Sequence, residues 1–367
     1  MAPTTIPFGD PKAVKKWSGN LFIATMKKSY WDRKFIGDSD EFVIQRLTDL
    51  ESDAGDTIQF DLSVQLRSKP TYGDNRLQGK EEALRFYSDE VKIDQMRHGV
   101  SAGGKMSRKR TIHNIRKIGR DRLSDYWSKF MDQMVTIYMA GSRGVNENFY
   151  EDIGWAGHAN NPIQAPDAAH LLYGGDATSK ATLDSGDKMN AALIRRAKVK
   201  AGMMAAVAPE NAQMLPVMIN GEAHYICVMS EFQSYDMKSA DAAGWLEYQK
   251  AAAGAEGRNS PLFKGNLGMI DNVVLHDHQD MIRFSDYGAG GNVKAARALF
   301  MGRQAGVIAF GATGGYRFSW TEEMQDHGNE PVISAGIIAG AKKTRFNNTD
   351  FGNLSLDTAA ADPNAAA

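Results

Sequence analysis

From Ser107 to about Ala140 apolar residues recur every three to four positions. Ile112, Ile115, Gly119, Leu123, Tyr126 with Trp127, Phe130, Met134 and Ile137 with Tyr138 follow one another, and no proline interrupts them. The spacing predicts one helix over the whole stretch. At 1.5 Å per residue it is on the order of 50 Å long, about three times the average globular helix. Such a helix spans a module rather than sitting inside one, so the remaining chain must be laid out along it. Its first half is basic: Lys105, Arg108, Lys109, Arg110, Arg116, Lys117, Arg120 and Arg122 stand against Asp121 alone, a local charge of +7. A helix that reads nucleic acid has this look, and so has one whose solvent face meets an acidic partner; only His113 and Asn114 are interleaved as base readers.

Upstream the periodicity changes to two. Ile58, Phe60, Leu62, Val64 and Leu66 alternate with Thr57, Gln59, Asp61, Ser63 and Gln65, which predicts a half-buried strand. A second run through Leu84, Phe86, Val91 and Ile93 is placed to pair back on it. The connection Arg67–Ala83 is far longer than the 2–5 residues of an ordinary hairpin loop, and too polar to pack inside one domain. It reads either as a disordered surface loop or as an extended arm ordered against a neighbouring subunit.

The 367 residues provide for roughly two domains. A formal charge of −1 argues against wholesale coating of nucleic acid or anionic membrane, so any such binding must be local. One cysteine, Cys227, forms no intramolecular disulfide and no thiolate zinc site by itself, as expected of a reducing compartment. Met1–Trp17 has no apolar core of a signal peptide, and Ala305–Ala312 and Ile333–Ala341 are too short to span a bilayer.

The first 55 residues read as an arm with one short helix around Val14, Trp17, Leu21 and Phe22. Asp187 is expected to cap a helix running through Met189, Leu193, Ala197, Met204 and Val207, with Arg195, Arg196, Lys198 and Lys200 as its solvated face. Val217–Ile219, Asn220-Gly221 and Ala223–Met229 make a two-residue hairpin. Ser230 and Gln233 have capping-box spacing before a helix reaching about Ala253 in one or two pieces. Val273–His276 reads as a strand, Leu299–Phe310 mixes helical and strand signals, and Ile333–Ala341 reads as a strand with close backbone approach at Gly336 and Gly340. The Ala-rich 359–367 is expected to be a disordered tail.

No complete catalytic set emerges. His276 and His278, two apart on a strand, make a metal pair without a third ligand. Gly288, Gly290 and Gly291 precede Val293–Leu299 as a glycine turn before a helix would, but miss the G-x-G-x-x-G spacing. Gly99–Met106 approaches a phosphate loop, with Met106 where a hydroxyl must reach magnesium. The G-x-S-x-G around Ser101 reads as a hinge, Ser185 and Lys188 are an S-x-x-K without its companions, and His224 and Cys227 point to opposite faces of one strand. No catalytic residue, metal ligand or cofactor site is assigned.

An arm, a long hairpin with an outsized polar tip, a long basic helix and a mixed region closed by late strands together resemble the major capsid proteins of tailed bacteriophages, with their Hong Kong 97-type α+β fold. The strings TYGDNRLQGKEEALRFYSDEVKIDQMRHGV at Thr71–Val100, GKMSRKRT at Gly104–Thr111, PLFKGNLGMIDNVVLHDH at Pro261–His278, ARALFMGRQAGVIAFG at Ala296–Gly311 and KKTRFNNTDFG at Lys342–Gly352 are similar to the phage N-four type of that family. The resemblance implies an N-terminal arm over 1–55, an extended loop over 56–99 and a peripheral domain over 100–213 with its spine helix at 107–140. It further implies an axial domain over 214–329 and C-terminal strands over 330–358 returning to the peripheral domain. The expected function is a shell protein of the virion, assembled in a bacterial cytoplasm into hexamers and pentamers of an icosahedral head. Such a shell would enclose double-stranded DNA without sequence-specific binding, with a portal and scaffold or decoration proteins as the expected partners. Arg67, Lys69, Tyr72, Arg76, Lys80, Glu81 and Glu82 of the extended loop are the candidate inter-subunit contacts. Relatives that cross-link through a loop lysine draw attention to Lys69 and Lys80, but no partner amide or catalytic carboxylate is identified for either. The competing reading is a cytosolic α/β enzyme with a phosphate or metal site.

Overall fold

A computed structural model describes residues 28–364 apart from 52–54, 64–65, 67, 85, 112, 208–211, 220, 255–260, 264 and 312–317. From residue 28 the stretch expected to be a free arm is built into the body; the helix expected around Trp17 lies outside the described residues. Helix α1 (Tyr30–Lys34) buries Trp31 completely, with Phe35 just after it, and β1 (Ile36–Gly37) and β2 (Ile44–Leu47) follow. The hold comes from the long helix. The Asp132 carboxylate accepts hydrogen bonds from Ser29 Oγ at 2.6 Å, Tyr30 N at 2.8 Å and Trp31 N at 3.2 Å, and Trp31 Nε1 donates to Thr136 Oγ1 at 2.9 Å.

Strands β3 (Thr57–Ser63) and β4 (Phe86–Lys92) form the expected hairpin, from Thr57 opposite Lys92 to Ser63 opposite Phe86; Val64 and Gln65 lie outside the described residues. Strand β5 (Asp94–Ser101) leads to the basic helix, which is not continuous over 107–140. It is a six-residue α2 (Lys105–Arg110) and a 26-residue α3 (Ile115–Ala140), about 39 Å long. Thr111 is extended and Asn114 caps α3, its side chain accepting from Lys117 N at 3.1 Å. Thr111, His113 and Asn114 favour a break and a cap over helix interior, which apolar spacing alone does not register. At the other end Gly141 takes the left-handed conformation, φ 65°, and its N–H donates to Ile137 O at 2.9 Å.

After β6 (Leu171–Tyr173) comes α4 (Ala191–Val207), capped by Asn190, whose Oδ1 accepts from Leu193 N at 2.9 Å. The expected cap, Asp187, is instead buried and accepts from Asp184 N. Strands β7 (Val217–Ile219) and β8 (Glu222–Met229) pair as expected, and the capping box of Ser230 and Gln233 opens α5 (Glu231–Ala240), followed by α6 (Ala242–Gly254). Strands β9 (Gly268–Ile270), β10 (Val273–Asp277), β11 (Arg283–Tyr287) and β12 (Val293–Met301) follow. Gly288–Gly291 is therefore the turn of a hairpin, and no helix begins there. Strands β13 (Gly306–Phe310), β14 (Phe318–Gln325), the 14-residue β15 (Glu330–Lys343), β16 (Arg345–Phe346), β17 (Thr349–Asp350) and β18 (Asn353–Ala359) complete the chain. The tail does not begin at Ala359, which pairs with Ala295 and is buried, as is Ala360.

Two large sheets share most of these strands, beside the two-stranded β3–β4 and β16–β17 ribbons. In the first, β13 and β14 pair with successive parts of one side of β15, β5 pairs with its other side, and β2 and β1 extend the sheet beyond β13. Leu123, Trp127 and Met134 of α3 pack with Ile333, Ala335 and Ile337 of β15 in one core. The second sheet runs β6-β18-β12-β8-β10-β9, with β11 on β12 and β7 on β8. Its central strands are apolar at consecutive positions because both faces are covered. Ile226 and Val228 face the α3 core, whereas Tyr225, Cys227 and Met229 face α4 and α5. Of the C-terminal strands expected together over 330–358, β15 lies in the first sheet and β18 in the second.

The sheets meet at the end of α3. Buried Arg297 of β12 donates from Nη1 to Ala140 O at 2.8 Å, and from Nε and Nη2 to the two Asp357 oxygens at 2.7 Å each. Tyr287 OH donates to the same carboxylate at 2.7 Å, and Asn353 Nδ2 donates to Met139 O at 2.6 Å. Burial alone would lower the basicity of Arg297, but the Asp357 charge raises it above its usual value. Removing one partner of a buried pair strands the other, so Asp357→Ala is expected to cost about 3–5 kcal/mol in denaturant unfolding of the isolated subunit. Arg297→Met combined with Asp357→Leu should recover a large part of that loss.

Burial pushes the Asp132 carboxyl up to about 6, against the lowering effect of the bonds from Ser29, Tyr30 and Trp31. A carboxyl that keeps its proton to higher pH in the folded state binds more protons than the unfolded chain across pH 4–6. Stability therefore falls as pH rises through that window and levels above it. Relative to wild type, Asp132→Asn should gain up to about 3 kcal/mol between pH 4 and 6 in urea titrations. Parallel pH curves for the two proteins would refute this.

Candidate assembly surface

The β3–β4 hairpin is fixed at its root. Ile58, Val91 and Ile93 pack with Leu47, Val307 and Ala309 in a small core of their own. Asn161 imitates a neighbouring strand: Lys92 N donates to its Oδ1 at 3.0 Å, and its Nδ2 donates to Lys92 O at 2.7 Å. Lys342 of β15 forms an ion pair with Asp89 and donates to Glu90 O at 3.0 Å, while Arg345 N donates to Asp89 Oδ2 at 3.1 Å. Gly340 is required here, since a Cβ would overlap the Lys92 carbonyl oxygen.

Beyond the root the chain stands clear of the body. Lys69, Tyr72, Arg76, Lys80, Glu81 and Glu82 all lie exposed in one loop, and Arg67 lies outside the described residues. Local bonds shape the loop: Ser68 N donates to Glu82 Oε2 at 2.7 Å, Gly79 N to Glu81 Oε2 at 2.6 Å, and Asn75 Nδ2 to Tyr72 O at 2.7 Å. The hairpin also carries bare apolar side chains that the charge pattern concealed. Leu66 is 63% exposed and Tyr72 72%, and Leu77, Leu84 and Phe86 are similarly open. Leu66 was expected on a buried face; it falls beyond the end of β3. Large apolar groups grouped in water on one loop are the mark of a surface awaiting a partner.

The chemical candidates disperse. His276 is buried with Nε2 2.8 Å from Leu262 O, and burial, reinforced by the Lys34 charge, holds it down to about 4. His278 lies against the Tyr30 ring, and no group of three or more His, Cys, Asp or Glu able to hold a metal occurs among the described residues. Ser101 donates to Glu330. Lys188 is engaged by Asp236 at 2.8 Å. His224 packs on Phe263 on one side of the second sheet and Cys227 lies on the other, its thiol pushed up to about 12 by burial. No described helix is long and apolar enough to cross a membrane.

A family model described as phage capsid protein matches residues 5–362. The chain belongs to the phage capsid protein family. Over 353 residues it is 27% identical to the major capsid protein of Pseudomonas phage KPP25, covering 89% of this chain and 90% of that one. It is also similar to the capsid of Ralstonia phage GP4, at 59% identity over the whole of both chains with a TM-score of 0.89. The cyanophage Pam1 capsid shares the fold, with a TM-score of 0.69 at 19% identity over 89% of this chain and 91% of that one. This capsid protein is thus a phage major capsid protein with the Hong Kong 97-like fold; it forms the virion shell and belongs to a structural family rather than an enzyme family.

If Asn161 is the clamp at the hairpin root of this capsid protein, Asn161→Ala should leave the subunit folded but destabilised by about 1–3 kcal/mol. The Lys92 amide should lose hydrogen-exchange protection more than amides in β12. Unchanged protection at Lys92 would show that packing alone holds the root.

Proposed function

We infer that the capsid protein closes its shell as hexamers and pentamers, with the β3–β4 hairpin of each subunit laid on a neighbouring copy. The observation that carries this is the contrast between a root locked by the Lys342–Asp89 ion pair and a tip of exposed apolar and charged side chains. Lys69, Tyr72, Arg76, Lys80, Glu81 and Glu82, with Leu66, Leu77, Leu84 and Phe86, are the contact residues in this reading. Exposed ion pairs of this kind are worth about 0–1 kcal/mol each, so the apolar groups provide adhesion and the charges set register. Weak contacts repeated many times allow a misplaced subunit to leave.

The sheet membership supports a division different from the linear one. The peripheral domain takes α3 with the first sheet, including residues 306–343, and the axial domain takes the second sheet with α4, α5 and α6, including β18. The extended loop is the β3–β4 hairpin and ends near Ile93, because β5 has already joined β15. Double-stranded DNA is the expected content, held without sequence-specific contacts; the near-neutral overall charge, −1, keeps packed duplex from adhering to the wall. A portal, and a scaffold or decoration protein where one is needed, complete the expected partners.

Deleting the loop tip, Pro70–Gly79, tests the reading. The deleted subunit should keep its unfolding profile yet yield no closed particles by electron microscopy. Normal particles from this deletion would make the hairpin a bystander.

A further inference from the structure

The geometry points to a second contact between copies, in which the acidic end of one subunit's first sheet meets the basic end of the next. This rests on the reading that the protein assembles with itself. Strand β15 runs for 14 residues, about 45 Å, and its two ends carry opposite charge.

At the Lys343 end, β13 brings in β2 with the chain on either side of it. The described residues 38–51 and 55–56 hold six acids against Arg46 alone, a net charge of −5. Asp38, Asp40, Glu41, Asp49 and Asp56 are exposed, and among the described residues only Asp38 has a cationic partner, Arg46 at 3.3 Å. The lysines that end β15 do not neutralise this surface, because Lys342 is committed to Asp89 and Lys343 to Asp350.

At the Glu330 end, β5 delivers α2 and the start of α3. Lys105 N donates to Asn329 Oδ1 at 3.0 Å and Arg108 Nη2 to Asn329 O at 3.0 Å, which fixes the basic segment over the β14–β15 turn. Lys105, Lys109, Arg110 and Lys117 are exposed and have no ion-pair partner among the described residues. Glu322, Glu323, Asp326 and Glu330 offset part of the charge but leave this end net positive.

Each end also carries bare apolar side chains: Phe42 on the acidic one, Met106 and Ile118 on the basic one. Opposite charge around an apolar centre is the anatomy of a protein interface. The two ends are held apart by β15 and cannot meet within one subunit. In a ring of copies every acidic end faces a basic one, and such a head-to-tail contact closes when the rotation between copies closes. The occupant of each end is therefore a second copy of this chain. Duplex DNA would suit the basic end, but would leave the acidic end without a partner.

Charge reversal tests this in the full-length chain. Lys109→Glu with Arg110→Glu, or Asp40→Lys with Glu41→Lys, should each lower the yield of closed particles by at least about tenfold, because like charges then face each other. All four changes in one chain restore opposite signs and should bring the yield back to within about threefold of wild type. Wild-type assembly should also weaken as salt rises from 0.05 to 0.5 M, and Lys109→Ala with Arg110→Ala should blunt that dependence. The alanine pair supplies the reading if a reversed chain fails to fold. Normal particles from either reversed chain, or no recovery in the fourfold variant when both parents are folded, would overturn the contact. So would normal particles that hold less DNA, which would assign the basic end to the duplex. Absence of particles from wild type under all conditions would instead refute the assembly reading itself.

Discussion

The last turn of α3 is where the protein is tied together. A helix ends with carbonyls that have no partner of their own, and here two of them, at Met139 and Ala140, are taken by Asn353 and Arg297 of the second sheet. Arg297 can serve because Asp357 and Tyr287 surround its charge with partners in a region that excludes water. The same helix packs its apolar face on β15 and holds α1 through Asp132. One rod thus fixes both sheets and the described start of the chain, and the geometry a shell needs is transmitted through few, well-satisfied buried groups.

Rigidity in the body has its counterpart in exposure at the edges. The hairpin root is clamped by Asn161 and Lys342, so β3 and β4 leave the body as one paired ribbon. A preordered arm loses less conformational entropy on docking than a free one, which lets contacts of modest strength suffice. Charge follows the same pattern. The nearly neutral total conceals an acidic end and a basic end separated by the length of β15, and a tile that neutralises itself only through its neighbours has a reason to assemble.

Much of this was legible in advance wherever local rules act alone. The alternation over Ile58, Phe60 and Leu62 gave the hairpin, Ser230 with Gln233 gave the capped helix, and the glycines of Ile333–Ala341 marked a backbone approach that Gly340 makes against Lys92. The candidate contacts Lys69 to Glu82 lie exposed, and the bare apolar side chains beside them were not singled out, because a polar loop directs attention to its charges. Leu77, Leu84 and Phe86, stranded among those charges, were the signal available. The single helix over 107–140 failed at Thr111–Asn114, where side-chain capping outweighs apolar spacing. The phosphate-like turn at Gly288–Gly291 failed because glycine marks a hairpin as readily as a helix start.

The sequence by itself determined the period of each element, the exposure of the hairpin loop and, through strings of residues in family order, the kind of protein this is. Those properties depend on neighbours in the chain or on inheritance. Only the tertiary structure decided which strands share a sheet, that β18 joins β12 rather than β15, that residues 28–47 belong to the body, and that Arg297 meets Asp357. Each of these pairs residues far apart in sequence, and no periodicity records a contact whose partner lies fifty or more positions away.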